Sequence, residues 1–174
     1  IVHSFMLNKN EVVPLELELS LVPGLPQIKF LGQPDASLRE SEIRIKAALR
    51  KQGFDFPAGL ELLVDIRPAS LKKNGVGLEL AVACGFLRMT GQIQWDQAEP
   101  DFVYGGLTLG GEVFFPEEAL EVSFDSRTTV LSASCPNRSY SMLVIKTLHE
   151  LSAPARMSPQ EKNTLSWLRP KPRH

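Results

Sequence analysis

From Val12 to Leu21 the chain alternates between apolar and polar positions. Val13, Leu15, Leu17, Leu19 and Leu21 fall on one side, with Glu16, Glu18 and Ser20 on the other. That period of two predicts a strand with one wet face. His3 to Leu7 predicts a shorter strand before it, across the polar turn Asn8-Lys-Asn. Pro23-Gly-Leu-Pro26 breaks the alternation, and Gln27 to Leu31 reads as the hairpin partner of the second strand. The pattern then changes to a helical one. Ala36 to Gln52 places Leu38, Ile45, Ala48 and Leu49 on one face, with Asp35 as N-cap and Gly53 past the end. Glu40–Arg44 and Glu42–Lys46 fall at i,i+4 on its surface.

Leu60 to Ile66 is apolar and partly β-branched, which predicts a central strand ended by Pro68. Leu78 to Met89 is apolar nearly all round, interrupted by Glu79 and Arg88, and is closed by Gly91. Such a helix must be buried on more than one side. Phe102 to Leu109 and Glu112 to Phe115 predict two strands joined at Gly110-Gly111. The order is β-β-β-α-β-α-β-β. The expected fold class is α/β in the α+β sense, a mixed β-sheet with helices packed mainly on one face.

Beyond this point the pattern weakens. Leu120 to Phe124 reads as the continuation of an element, and Thr128 to Ser134 as a strand. Ser141 to Leu151 has helical spacing, although Val144-Ile145 suits a strand equally. Residues 1–151 are expected to form one domain. Residues 152–174 are rich in proline and charge and read as a tail. A short helix is expected there from Pro159 to Leu168, with Ser158 as cap and Glu161 at N3.

Composition adds constraints. The 174 residues carry a net charge of −1, so the chain as a whole has no bias toward nucleic acid or acidic substrates. Cys84 and Cys135 are far apart and form neither a disulfide framework nor a metal motif. A reducing cytoplasm is the expected compartment. No apolar run reaches the roughly 18 residues of a membrane span. The amino end lacks the pattern of a signal peptide.

Candidate chemistry is sparse. The loop Lys72-Lys73-Asn74-Gly75-Val76-Gly77 has lysines, glycines and a following helix N-terminus, the ingredients of an anion cradle. Its other reading is a tight turn that lets a buried helix pack closely. It lacks the spacing of a phosphate-binding Walker loop. Glu79, in the first turn of the apolar helix, suits a bond to nearby loop amides or an interface contact. No partner suggests itself for acid–base work. Arg39, Arg44, Lys46, Arg50 and Lys51 make one helix basic, and Lys72 and Lys73 extend the patch if the loop lies nearby. That patch reads either as a phosphate-backbone contact or as a solvated face. Asp65 lies near Arg67, and the two are candidates for an ion pair. His3, His149 and His174 make no triad and no metal cluster. Trp95 and Trp167 are isolated, so no base-stacking platform is visible. No cofactor or small-molecule substrate is indicated.

Several motifs carry a resemblance when taken in order. Pro23-Gly24-Leu-Pro26, Gly32-Gln-Pro34-Asp35, Arg39-Glu-Ser41 and Gly53-Phe-Asp-Phe-Pro57 come first. Pro68-Ala-Ser-Leu-Lys-Lys-Asn-Gly75, Leu78-Glu-Leu80 and Tyr104-Gly-Gly-Leu-Thr-Leu-Gly-Gly-Glu112 follow. Across residues 3 to 120 this string resembles the amino-terminal domain of the magnesium-chelatase-like AAA+ ATPases, the YifB/ComM family. The resemblance implies a fold similar to the Lon proteolytic domain and to the second domain of a small-subunit ribosomal protein. Lon-type peptidases use a serine–lysine dyad. Here the serine position falls on Gly77 and the lysine position near Leu120, among Glu117, Glu118 and Ala119. Neither dyad member is present, so the resemblance implies an accessory domain without peptidase activity. It also implies ATP-binding modules in full-length relatives, which resemble hexameric motors, and DNA processing in natural transformation. The implied partners are an AAA+ module, identical subunits and DNA.

Overall fold

The computed structural model describes residues 1–32, 34–71, 73, 75–94, 99–135 and 139–152. Apart from Ser152, the expected tail and its helix lie outside the described residues.

Lys9 and Asn10, with φ of 50° and 65°, turn strand β1 (Val2–Asn8) back into β2 (Glu11–Pro23). Asparagine tolerates that left-handed backbone better than most residues do. The next strand, β3 (Ile28–Leu31), does not pair with β2 as the sequence predicts. Strand β4 (Leu60–Arg67) lies between them, antiparallel to β2 and parallel to β3, giving the order β1-β2-β4-β3. The turn Pro23-Gly-Leu-Pro26 spans this slot instead of closing a hairpin. The Gly24 amide donates to the Gly59 carbonyl, and Leu62 donates to Gln27. Both bonds commit the turn to the later strand.

Helix α1 (Ala36–Lys51) starts where the Asp35 carboxylate accepts the Leu38 amide at 3.1 Å. Its buried face is Leu38, Ser41, Ile45, Ala48 and Leu49. It ends in a Schellman motif, with Gly53 bonded to Arg50 and Phe54 to Leu49. Glu40 and Arg44 pair as expected at 3.7 Å. Glu42 and Lys46 instead find tertiary partners. Glu42 accepts the Ile28 amide, and Lys46 donates to the Pro26 carbonyl. These two side chains tie the helix to the β2–β3 turn and to β3.

Helix α2 (Glu79–Met89), preceded by a 3-10 turn at Val76–Leu78, is buried from Glu79 through Leu87. This matches its all-round apolar sequence. It lies against β1 and β2, while α1 lies against α2 and β3. The register puts Leu17, Leu19 and Leu21 beside Ile66, Val64 and Leu62 on one face of the sheet. Glu16, Glu18 and Arg67 stand on the other, exposed. Arg67 pairs there with Glu18 and, at 3.6 Å, with Asp65.

The second half departs from one continuous sheet. Phe102 to Leu109 is not a single strand. It splits into β5 (Phe102–Val103) and β6 (Gly106–Leu107), which belong to different sheets. The break is at Gly105, whose backbone bonds Gly77 and Leu80 rather than a neighbouring strand. β6 pairs with β7 (Val113–Phe114) across the expected glycine turn. β5 joins β8 (Thr129–Ser132) and β9 (Ser141–Val144) in a parallel sheet of order β5-β8-β9. Ser141 to Leu151 is therefore a strand and a 3-10 turn (Leu148–Ser152), not one helix. The β-branched Val144 goes with the strand. Residues 120–124 follow a 3-10 turn (Glu117–Ala119) as irregular backbone and continue no element. The architecture is thus a mixed α+β fold with helices packed against a sheet and two smaller sheets beside it. Among the described residues no helix is long and apolar enough to cross a membrane.

Candidate functional site

Sequence reasoning concentrates its candidates at the crossing from β4 to α2, and the structure joins that crossing to the start of α1. The Asp35 carboxylate accepts the Ser37 hydroxyl at 2.5 Å as well as the Leu38 amide. The Ser37 hydroxyl oxygen in turn accepts the Gly75 amide at 3.0 Å. The Asp35 amide donates to the Lys73 carbonyl, and Pro34 bridges to Lys73 in parallel fashion. The α1 cap and the crossing loop are therefore one hydrogen-bonded unit. A side chain at Gly75 would place its Cβ 2.6 Å from Leu38 Cα, so the loop can lie this close only with glycine there.

Lys73 is fully buried. Its ammonium donates to the Pro68 carbonyl. Burial lowers its pKa, and the Asp65 carboxylate opposes that. The sequence reads Lys73 as part of a surface patch, but the structure turns it inward. Lys72 and Asn74 lie outside the described residues. Arg39 and Arg50 are exposed on the outer side of α1 and make no ion pair among the described residues. Pro23 ends β2, Gly24 and Pro26 shape the turn beyond it, and Gly32 follows β3.

Glu79 has a partner that the sequence does not reveal. Its carboxylate is fully buried, and the Arg44 Nε donates to both oxygens at 3.0 and 2.9 Å. The two residues are 35 positions apart, and the i,i+4 pairing of Arg44 with Glu40 masks the longer bond. Burial pushes the Glu79 carboxyl up to about 7, against the opposing pull of the Arg44 hydrogen bond and charge and of the Leu107 backbone. The pair pins the first turn of α2 to the middle of α1.

The third part of the site lies at Gly77. A Cβ there would stand 2.6 Å from the Tyr104 hydroxyl and closer still to two ring carbons. The Tyr104 ring is held in place by stacking on Phe5, centroids 4.0 Å apart at 16°. Gly77, Tyr104 and Glu118 line one cavity of about 50 Å³ with Phe5, Met6 and Leu7. Burial raises the Tyr104 pKa, and Glu118 and Tyr140 add to the rise. Gly77, on which the dyad serine position falls, thus lies under an aromatic ring. Glu118, one of the residues around the expected lysine position near Leu120, lines the same cavity, and Leu120 itself is not among its lining residues. Among the described residues no group of three or more His, Cys, Asp or Glu side chains could hold a metal ion. Cys84 and Cys135 are both buried and are not joined in a disulfide.

The family model for subunit ChlI of Mg-chelatase matches residues 17–133, two-thirds of the chain. The chain belongs to this family. The match runs from β2 through the capped α1, the crossing loop and α2 to the end of β8. An uncharacterised protein of Mycobacterium tuberculosis is 33% identical over 99 residues, which are 57% of this chain and 20% of that protein. The uncharacterised YifB of Salmonella typhimurium is 29% identical over 98 residues, 56% of this chain and 19% of its own length. The competence protein ComM of Haemophilus influenzae is 28% identical over 97 residues, again 56% and 19%. The chain spans about a fifth of the length of these relatives.

Proposed function

We propose that this chain is a non-catalytic accessory domain of a magnesium-chelatase-like AAA+ ATPase, acting through contacts that support subunit assembly or DNA positioning. One observation carries the reading: the Tyr104 ring fills the space in which a side chain at Gly77 would stand. A nucleophile needs an exposed hydroxyl beside a base. At this crossing the hydroxyl position is a covered glycine, and the residue across the cavity is Glu118.

Among the described residues, the charged groups of the crossing serve the fold. Lys73 is spent on the Pro68 carbonyl and Glu79 on Arg44. The polar side of α1 faces outward, with Arg39, Arg50 and Lys51 exposed. Exposed cations on one helix face suit contact with a carboxylate-bearing protein surface or with phosphates. ComM is named as a competence protein, and a role in DNA processing comes to this chain only through that kinship.

The test is a fluorophosphonate serine probe applied to the folded chain, with a peptide-hydrolysis screen alongside. The expected result is no labelling above that of the urea-unfolded chain and no cleavage. Stoichiometric labelling of one serine, abolished by unfolding, would overturn the reading and favour a divergent peptidase.

A further inference from the structure

The outer side of α1 carries a stripe that the fold does not use. Arg39, Ile43 and Arg50 are spaced i, i+4 and i+11, so they line one side of the helix. All three are exposed, Ile43 at 67%. The stripe covers about 16 Å at 1.5 Å per residue. An isoleucine so exposed between two arginines that make no ion pair among the described residues is the profile of a helix that seats in an apolar groove with an acidic rim.

Such a groove is present elsewhere on the chain. It has a volume of about 710 Å³ and lies beside the β1–β2 turn. Leu7, Val12 and Val122, all half-buried, form its apolar part. Glu11, Glu118 and Glu121, all exposed, supply the charge, and no cation is among its lining residues. None of the three carboxylates makes an ion pair among the described residues. Glu18 pairs with Arg67, Glu99 with Arg88 and Glu40 with Arg44, whereas the exposed Glu16, Glu112 and Glu117 are, like the groove carboxylates, in no ion pair among the described residues. Lys9 is exposed on the adjoining turn and is not among the residues that line the groove.

The two surfaces cannot meet within one molecule. β1 is one edge of the sheet and β3, against which α1 packs, is the other. We propose that the Arg39–Ile43–Arg50 stripe of one copy seats in the Glu11–Glu118–Glu121 groove of a second copy. Ile43 enters the apolar part between Leu7, Val12 and Val122, and the arginines face the carboxylates. Because the two patches differ, the contact is head-to-tail and closes into a ring or extends as a filament. The inference rests on the accessory-domain reading and names the partner surface within it.

The experiment is sedimentation of the whole chain at rising concentration, with two charge-reversed variants. One carries Glu118→Lys and Glu121→Lys, the other Arg39→Glu and Arg50→Glu. Circular dichroism first confirms that both fold. The wild type is expected to self-associate, about tenfold more weakly at high salt than at low salt. Each variant alone is expected to remain monomeric. An equimolar mixture regains association, because each variant offers the charge that the other now needs. A wild type that stays monomeric at every concentration overturns the proposal. So does a mixture that fails to associate, or variants that self-associate like the wild type. Loss of short-duplex DNA binding in the arginine variant, with the wild type monomeric, assigns the stripe to phosphates instead and also overturns it. A monomeric chain that takes no serine label refutes this contact alone. A labelled serine refutes the accessory reading, whatever the state of association.

Discussion

Replacing Gly77 by alanine adds one methyl group to the crossing, and its cost can be worked from the packing. The added carbon would stand 2.6 Å from the Tyr104 hydroxyl oxygen, with ring carbons nearer. Gly77 does not have a positive φ, so the backbone itself accepts alanine and the clash is the whole effect. The ring cannot swing freely, because Phe5 stacks on it at 4.0 Å and Phe115 packs edge-on at 5.4 Å. Overpacking of a filled core costs about 1–3 kcal/mol, and a wedged ring puts this site at the upper end, about 3 kcal/mol. Tyr104→Ala removes a buried aromatic and costs about 3–5 kcal/mol by itself. In the double variant the clash has gone, so its stability should match that of Tyr104→Ala alone. Urea unfolding of all four proteins gives the coupling energy, expected at about 3 kcal/mol. A Gly77→Ala protein within about 0.5 kcal/mol of wild type, or a double variant whose losses simply add, would refute the argument.

Two further outcomes follow from the same joint. Glu79 is a carboxyl whose folded-state pKa is raised by burial from 4.5 to about 7. The unfolded chain therefore ionises first as pH rises. The stability tied to this group is fully present below about 4.5 and is lost progressively up to about 7, on the order of 3 kcal/mol in all. Unfolding free energies measured across that window should fall more steeply for the wild type than for Glu79→Gln, and parallel slopes would show that the carboxyl does not titrate this way. Asp35→Ala removes the α1 cap and the anchor of Ser37, and should cost about 1–2 kcal/mol in urea unfolding. Asp35→Asn should retain most of the stability, and equal losses from both would argue against a capping role.

The parts of the fold that the sequence reveals are those in which local pattern and final burial agree. α1 shows its cap, its buried stripe and its terminal glycine within about twenty residues, and all three are in place. The alternation of β2 likewise survives as one buried and one exposed face. Pairing partners are a different matter. Nothing local in Gln27 to Leu31 distinguishes a hairpin from a strand that leaves a slot for β4, because both bury the same side chains. Gly105 interrupts Phe102 to Leu109 for a reason lying elsewhere, in the carbonyl of Gly77 and the amide of Leu80. Arg44 is masked by its pairing with Glu40, and Lys73 by the polar company of its loop. The one available signal was the density of small residues at Gly75 and Gly77, which implied close packing without naming Leu38 or Tyr104 as the neighbours.

The most direct measurement of whether the crossing is a sealed joint is native-state hydrogen exchange at the amides of Gly75, Leu78 and Leu80. Each is bonded inside the protein, to Ser37, Gly75 and Gly105 respectively. A sealed joint predicts that these amides exchange only through global unfolding, with the free energy obtained from urea denaturation. Exchange through local opening, faster by orders of magnitude, would describe a mobile loop with room for a substrate and would contradict the account.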